Sequence, residues 1–561
     1  MTASDEDVEK KVPSAVEPAS DGSAPAYGDT AHHSTGDVEE GQHKLKRNLK
    51  GRHMQMIAIG GAIGAGLWVS TGSALRSGGP GALLVCYLIM GGMMLLTVQA
   101  LGEMAVVYPE NGAFFSYCVR FISPAWGFAV GWDYALNWLV ILPFELTAAS
   151  LTLNFWPAAE KINVGVWITI FLVVLTAIQV FGVRGYGEVE FVLGVIKVVA
   201  VIGFIILGIV IDCGGAPKGG YLGAHYWYDP GAFTTFYGFC NVFTAAAFAF
   251  GGTEMAGLAA AEAANPAKSL PKACKQVFWR ILIFYVLGTF VVGLIVPYNA
   301  SFLLGASDSS TKDSPFVKSI EQAGIAGLPS VMNAVITVSV ISVANSATYG
   351  SSRTIQALAA RKMAPKWMAY IDKKGRPVWS IVLQLLFGLL AYLNEAAAGD
   401  TIFDWLLALS AVSDFFIWGS ICFAHIQFRK AWRHNGHSVK DLVYAAPFGE
   451  IGSWVGVALN ILCLIAEFYV AVYPKSANAF FQAYLAVPII IAFFIFWVVY
   501  TKFNKDPTLE RGAWFIKVKD MDIYSGMRDG VLDVDLPPKV EYPTWGAYFK
   551  AAPMRIFRSI I

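Results

Sequence analysis

The sequence predicts an all-α integral membrane protein with twelve transmembrane helices. Composition is the first reason: of 561 residues, 56% are hydrophobic and only 14% are charged, and the mean hydropathy is +0.53. A soluble domain carries about 25% charged residues. The second reason is a series of twelve apolar stretches, most near the roughly 20 residues that cross a bilayer as a helix. The third is a pair of glycine-rich interruptions, in the first and sixth stretches, at matching places in two halves of five helices. Such matched breaks are the signature of an inverted repeat. Composition also excludes other classes. Lys and Arg total 41 against 40 Asp and Glu, so no basic excess points to nucleic acid. Seven cysteines form no framework and read as small hydrophobes.

In chain order, residues 1–43 form a Ser-, Ala- and acid-rich segment that cannot bury a core, and residues 1–50 are expected to be a disordered N-terminal tail. No apolar run precedes residue 54, so this is not a signal peptide. The apolar stretches fall near 54–76, 82–106, 125–150, 164–182, 189–211, 237–260, 279–299, 330–352, 379–394, 402–427, 452–473 and 480–502. Lipid offers no partner for backbone N–H and C=O groups, so each should be helical. Residues 51–502 thus make the membrane domain and 503–561 a C-terminal tail. With both termini inside, the inner connections hold seventeen Lys and Arg and the outer ones six. The excess of positive charge sets orientation, so both tails are expected to be cytoplasmic.

Helix 1 carries Gly60-Gly-Ala-Ile-Gly-Ala-Gly66 and helix 6 carries Phe248-Ala-Phe-Gly-Gly-Thr-Glu254. Close helix packing is the simple explanation for one such run. Two runs in register favour unwound backbone. N–H groups freed at the start of a half-helix suit a carboxylate, and carbonyls freed at the end of another suit an ammonium. A zwitterion matches both. Neither a GxGxxG fingerprint, a GxxxxGK[ST] loop nor an HExxH pair occurs, which leaves nucleotide and zinc chemistry without a motif.

Ionisable side chains at membrane depth are costly and mark function by default. Lys197 lies about 12 Å into helix 5, counted from Val189. It is the expected proton carrier; a permanent structural ion pair is the rival reading. Glu254 follows the helix 6 break, and Glu145 lies on helix 3; each suits either the site or a structural pair. Asp133 and Glu103 sit nearer the inner side and fit helix locks or an inner gate, while Asp404 and Asp414 on helix 10 take no assignment.

Four segments now carry a resemblance. Arg52-His-Met-Gln-Met-Ile-Ala-Ile-Gly-Gly-Ala-Ile-Gly-Ala-Gly-Leu-Trp68, Trp132-x-Tyr-x-Leu-x-Trp-Leu-Val-x-Leu-Pro-x-Glu145, Arg184-Gly-Tyr-Gly-Glu-Val-Glu190 and Glu262-Ala-Ala-Asn-Pro-Ala-Lys-Ser-Leu-Pro-Lys-Ala273 resemble the fungal amino-acid permeases of the amino acid–polyamine–organocation superfamily. The resemblance covers about residues 45–520. It implies a LeuT-type 5+5 inverted repeat with broken helices 1 and 6, and proton-coupled amino-acid uptake by alternating access at the plasma membrane. It implies that backbone N–H groups around Gly64, Ala65 and Gly66 take the substrate carboxylate. Carbonyls near Ala62, Phe248 and Gly251 would take its amino group, with Ile63, Phe250, Gly252 and Thr253 completing the site. Lys197 would stand where sodium-coupled relatives bind sodium, beside helix 1 backbone and Ser342, Asn345 or Ser346. One departure is Ala65, where the family usually has threonine.

The expected partners are an amino acid, protons and membrane lipid, with no cofactor, metal or nucleic acid and no enzymatic activity. Lys10, Lys11, Lys44 and Lys46 in the N-terminal tail could accept ubiquitin from a ligase. Two rival functions are an amino-acid sensor on the same fold and a carrier of another amine, such as a polyamine or γ-aminobutyrate.

Overall fold

The computed structural model describes residues 45–531 except 46, 48, 304–313, 396–398, 474, 505 and 529–530, and excludes the side chains of 58–60, 394–409, 478–479 and 482. The four tail lysines named above lie outside the described residues. Within them the chain is helical, and its β pairing is one isolated bridge between Leu49 and Ala263.

The helices, in order, are α1 (Gly51–Gly60), α2 (Ala65–Trp68), α3 (Ser70–Val107), α4 (Ala113–Phe121), α5 (Pro124–Leu153), α6 (Pro157–Glu160), α7 (Val164–Val180) and α8 (Gly182–Asp212). There follow α9 (Phe236–Phe250), α10 (Met255–Leu258), α11 (Pro266–Arg280), α12 (Gly288–Ile295), α13 (Pro315–Gln322) and α14 (Leu328–Ala360). The last five are α15 (Val378–Gly388), α16 (Gly399–His434), α17 (Gly449–Val472), α18 (Ala477–Tyr484) and α19 (Ala486–Phe503). Among the described residues, nine helical spans are long and apolar enough to cross a membrane, and two shorter apolar helices, Val164–Val180 and Val378–Leu393, accompany them. The chain is therefore a multi-pass membrane protein.

Local chemistry explains the punctuation. α3 is two helices joined at Gly79, whose φ of +83° and ψ of 171° turn the chain. A side chain there would meet the Ala232 carbonyl, and Pro80 suits the first turn of the next helix. Ser123 caps α5 by accepting from the Trp126 N–H at 3.0 Å, with Pro124 behind it. Asn265 and Pro266 start the next span in the same way.

Several limits differ from the sequence reading. The fifth helix begins at Gly182, seven residues before Val189. Its polar first turns find partners: Arg52 pairs with Glu188 at 2.6 Å. The seventh runs from Pro266 to Ile295, so Lys268, Lys272 and Lys275 are helical rather than loop residues. Charges on the first turns of a membrane helix read as loop when only hydropathy is counted. The eighth and tenth stretches are likewise longer than expected, as α14 and α16.

α5 packs chiefly on α14, and α3 on α9. α5, the α9–α10 segment and the Ser410–His434 part of α16 are the most enclosed spans, whereas α17 and α19 face outward with exposed Ile461, Leu462, Ile465, Ile491 and Ile495. Both described chain ends reach one end of the bundle. Leu49 bridges to Ala263 there. Residues 506–528 strap across the same end: Tyr108 donates to the Ile523 carbonyl at 2.6 Å, the Arg528 N–H donates to the Val107 carbonyl at 2.9 Å, and Arg361 reaches Glu510 at 3.1 Å.

Candidate functional site

The two glycine runs meet in the enclosed middle of the bundle. α1 stops at Gly60, and the chain turns through residues 61–64 before α2 resumes at Ala65. α9 stops at Phe250, and Gly252 has φ of +85°, a left-handed value that favours glycine. A Cβ on Gly252 would stand 2.4 Å from the Gly61 carbonyl oxygen, and one on Gly66 would stand 2.6 Å from the Ala249 Cα. These glycines let two backbones touch where both leave helical geometry.

Between the breaks lies a tight cavity of about 10 Å3, roughly one water. Gly61, Ala62, Gly64 and Gly66 line it from the first break, and Phe248 and Gly251 from the second. α5 contributes Trp138, Ile141 and Glu145, α14 contributes Val343, and α16 contributes Ser410 and Asp414.

The expected substrate residues divide. Ala62, Gly64, Gly66, Phe248 and Gly251 line the cavity. Ile63, Ala65, Phe250, Gly252 and Thr253 lie beside it but do not line it. Phe248 packs edge-on to Phe144 with ring centres 4.8 Å apart. Phe250, two residues on, stacks instead on Tyr285 at 4.2 Å. The Tyr285 hydroxyl also donates to the Ala62 carbonyl at 2.9 Å, so this carbonyl already has one donor. Thr253 donates to the Phe250 carbonyl at 2.8 Å and accepts from the Arg280 guanidinium.

The three expected proton-coupling residues occupy two places. Glu254 is an anchor in this arrangement: Tyr134 donates to its Oε1 at 3.2 Å and the Trp418 indole N–H to its Oε2 at 3.3 Å. It does not line the cavity. Glu145 does; its carboxylate takes a hydrogen bond from the Ala65 backbone and faces Lys197. Its Oε2 is buried without a hydrogen-bond partner. Lys197 is fully buried at the midpoint of α8, fifteen residues from each end. Its electrostatic partners are Glu190 and Glu145.

The residues expected beside Lys197 on the eighth span have these partners. Ser342 donates to Glu190 at 2.7 Å and Asn345 donates to Glu190 at 2.8 Å, while Ser346 meets the Tyr186 hydroxyl at 3.2 Å. Glu190 is the carboxylate that the sequence reading left unassigned. It precedes Lys197 by seven residues, two turns on one helix face, and that spacing was the available signal.

Asp414, like Asp404, was left unassigned. Asn137 donates to its Oδ1 at 2.8 Å, and Ser410 donates to the Asn137 Oδ1 at 2.6 Å. Its Oδ2 lies 2.9 Å from where a Cβ on Gly251 would stand. The remaining intramembrane acids have structural partners. Ser413 donates to Asp133 at 2.8 Å. Glu103 receives Arg429 through two hydrogen bonds, at 2.6 and 2.5 Å. Among the described residues no cluster of His, Cys, Asp and Glu could hold a metal ion. The Asp404 side chain lies outside the described ones.

Comparison with known proteins agrees with this architecture. Residues 53–510 match the family model described as amino acid permease. The chain is 51% identical over 517 residues to the general amino-acid permease GAP2 of Candida albicans, covering 91% of this chain and 85% of that protein. It is 50% identical over 495 residues to amino acid transporter 1 of Schizosaccharomyces pombe, covering 86% and 83%. It is 47% identical over 505 residues to the general amino-acid permease GAP1 of Saccharomyces cerevisiae, covering 88% and 82%. These relatives are named as permeases and transporters, not enzymes.

Proposed function

We propose, from the premise that the chain belongs to the amino acid permease family, that it takes up amino acids with protons by alternating access. Family membership supports amino-acid transport; coupling, mechanism and location are our reading. The observation that carries it is the pair of touching helix breaks around one tight cavity, with Glu145 linking the first break to Lys197. Backbone N–H groups at Gly64, Ala65 and Gly66 would take the substrate carboxylate. Carbonyls at Ala62, Phe248 and Gly251 would take its ammonium. The cavity is too small for an amino acid as it stands, so binding requires its walls to part, which suits an occluded stage of a transport cycle.

Within this reading the chain has twelve membrane helices, in two inverted five-helix repeats and a final pair. α1–α2 and α9–α10 are then the broken first and sixth members. The protein sits in the plasma membrane with both termini cytoplasmic, and residues 1–50, 51–502 and 503–561 are tail, transporter and tail. Lys197 carries the proton, exchanging it against Glu145 and Glu190 as the cavity opens to each side; Glu254 holds the second break. One charge moving through ~100 mV supplies about 2.3 kcal/mol. Two pH units add about 2.7 kcal/mol. The sum of about 5 kcal/mol sustains an accumulation of several thousand-fold.

The test is uptake of labelled amino acids by cells lacking their own permeases, with external pH recorded. Uptake with proton entry is expected. Uptake without proton movement ends the coupling mechanism while leaving the carrier. No uptake with the protein at the surface moves the weight to a sensor or to a carrier of other amines. Ubiquitin attachment to the N-terminal lysines is tested separately, by replacing Lys10, Lys11, Lys44 and Lys46 and following turnover after nitrogen is added.

A further inference from the structure

We propose that Tyr285 is a positioning residue for the substrate's ammonium group, holding the Ala62 carbonyl in place for it. The inference rests on the transport reading above and deepens it at the first break. Ala62 lines the cavity and Tyr285 does not, so the tyrosine acts through a backbone carbonyl rather than by touching substrate. Its hydroxyl donates to that carbonyl at 2.9 Å. The carbonyl lies in the unwound stretch between α1 and α2, where oxygens are released from helical partners.

The seventh span is shaped to reach both breaks. Arg280 ends α11, and Ile281–Leu287 then form a π-helical turn before α12. Turns of this kind are rare and gather at functional sites. Residues five apart on an α-helix point about 140° apart; the i→i+5 bonds of a π turn bring them nearer to one face. Arg280 and Tyr285 have that spacing. Arg280 donates to Thr253, beyond the second break. Tyr285 stacks on Phe250, before it, with ring centres 4.2 Å apart and planes at 25°. That ring contact fixes where the hydroxyl points.

The breaks sort their carbonyls by the donors they hold. A carbonyl oxygen has two lone pairs. At Phe250 both are committed to Thr253, whose N–H donates at 3.3 Å and whose hydroxyl donates at 2.8 Å. At Ala62 the Tyr285 hydroxyl engages one, and the other suits an ammonium N–H. A carbonyl set in advance lowers the ordering cost of binding. Without the hydroxyl the Ala62 peptide loses that restraint, and its contact with the amino group weakens while the ring stack persists.

The test uses cells expressing wild type, Tyr285→Phe and Phe250→Leu, with surface level measured for each. Uptake of the labelled amino acid that wild type carries best gives KM and Vmax, and its N-methyl derivative is scored as a competitor. N-methylation removes one N–H from the group that Ala62 receives. Tyr285→Phe keeps the ring and removes the hydroxyl. It is expected to raise KM by about tenfold, with Vmax per surface copy changed by less than about twofold. The preference for the primary amine over the N-methyl amine should shrink by about threefold or more, since both changes act on one contact. Equal weakening of both amines overturns the inference, because Tyr285 then serves the fold alone. An unchanged KM, or a fall in Vmax alone, overturns it as well. If Tyr285→Phe fails to reach the surface, Phe250→Leu takes its place: it frees the tyrosine ring, and the same loss of preference is required. A wild type that takes up amino acids without preferring the primary amine defeats this inference alone, whereas one that takes up no amino acid defeats the transport reading beneath it.

Discussion

The cavity and the strapped end of the bundle use the same residue types in opposite ways. Among the described residues of the strapped end, Glu103, Glu110 and Glu262 each have a cation, although the Glu262 Oε1 has no hydrogen-bond partner. Glu103 takes both guanidinium bonds of Arg429, a 2.6 Å bond from the Ala446 N–H, and a His425 nitrogen at 3.1 Å. Glu110 joins Arg120 and Arg361, at 2.5 and 3.0 Å. Arg353 pairs with Glu262 at 3.3 Å, and Tyr349 donates to the same carboxylate at 2.6 Å. At the cavity, Glu145 faces Lys197 but leaves one oxygen without a hydrogen bond, and Asp414 faces Glu254 and Asp133. Acids paired with cations tie helices together at the strapped end; in the transport reading proposed above, the cavity acids would hold a place for a mobile charge.

Substitutions can break that contrast. The largest expected effect is at Lys197→Ala, which should reduce accumulation of substrate from thousands-fold to near equilibration while exchange of substrate across the membrane persists. Ratios of internal to external labelled amino acid measure it, and retained accumulation would place the proton elsewhere. Next is Glu103→Ala, which strands the Arg429 guanidinium and should cost about 3–5 kcal/mol of stability. It should appear as low surface yield and a lowered Tm of purified protein, with substrate selectivity in the surviving fraction unchanged.

Gly66→Ala comes third. Its methyl would lie 2.6 Å from the Ala249 Cα, backbone that cannot yield cheaply, so uptake should fall by about tenfold or more, taking about 1–3 kcal/mol of overpacking as the guide. Gly92→Ala is its control: nothing lies within 4 Å of the added Cβ, and the helix gains about 1 kcal/mol or less in propensity. Equal behaviour of the two alanines would deny the close contact at the breaks. The smallest effect is expected at Arg361→Ala. Its ion pairs to Glu110 and Glu510 are partly exposed, and such pairs contribute about 0–1 kcal/mol each. A Tm shift of a few degrees, with uptake unchanged, would place the strap on the architectural side.

Much of this contrast is legible in the sequence, but unevenly. The breaks are visible because glycines recur inside apolar runs. Lys197 stands out as a lone charge among valines and isoleucines. The start of the span at Pro266 was also written in the chain, since Asn265 followed by proline is a cap and a first-turn residue. Phe248 and Phe250 differ by two residues, which places them on nearly opposite faces of a helix, so period alone could have separated them. Asp414 was not legible in this way. Its meaning depends on the rotation of α16 against α5, which brings Asn137 to one oxygen and Gly251 to the other. Glu190 was passed over because, with the helix counted from Val189, it stood at the helix end, where a charge reads as a boundary.

Glu254 and Thr253, just beyond the second break, are tied to Tyr134, Trp418 and Arg280. Just before it, Thr244 on α9 lies 2.8 Å from both oxygens of Glu467 on α17. The two sides of Gly251 and Gly252 are therefore moored to different neighbours, with only two backbone residues as the joint. A rotation there tilts α9 like a lever about a fulcrum and leaves α10 in its berth. Paired distance labels on α9 and α17 should hold a constant spacing through such a swing, while labels on α9 and α10 should not.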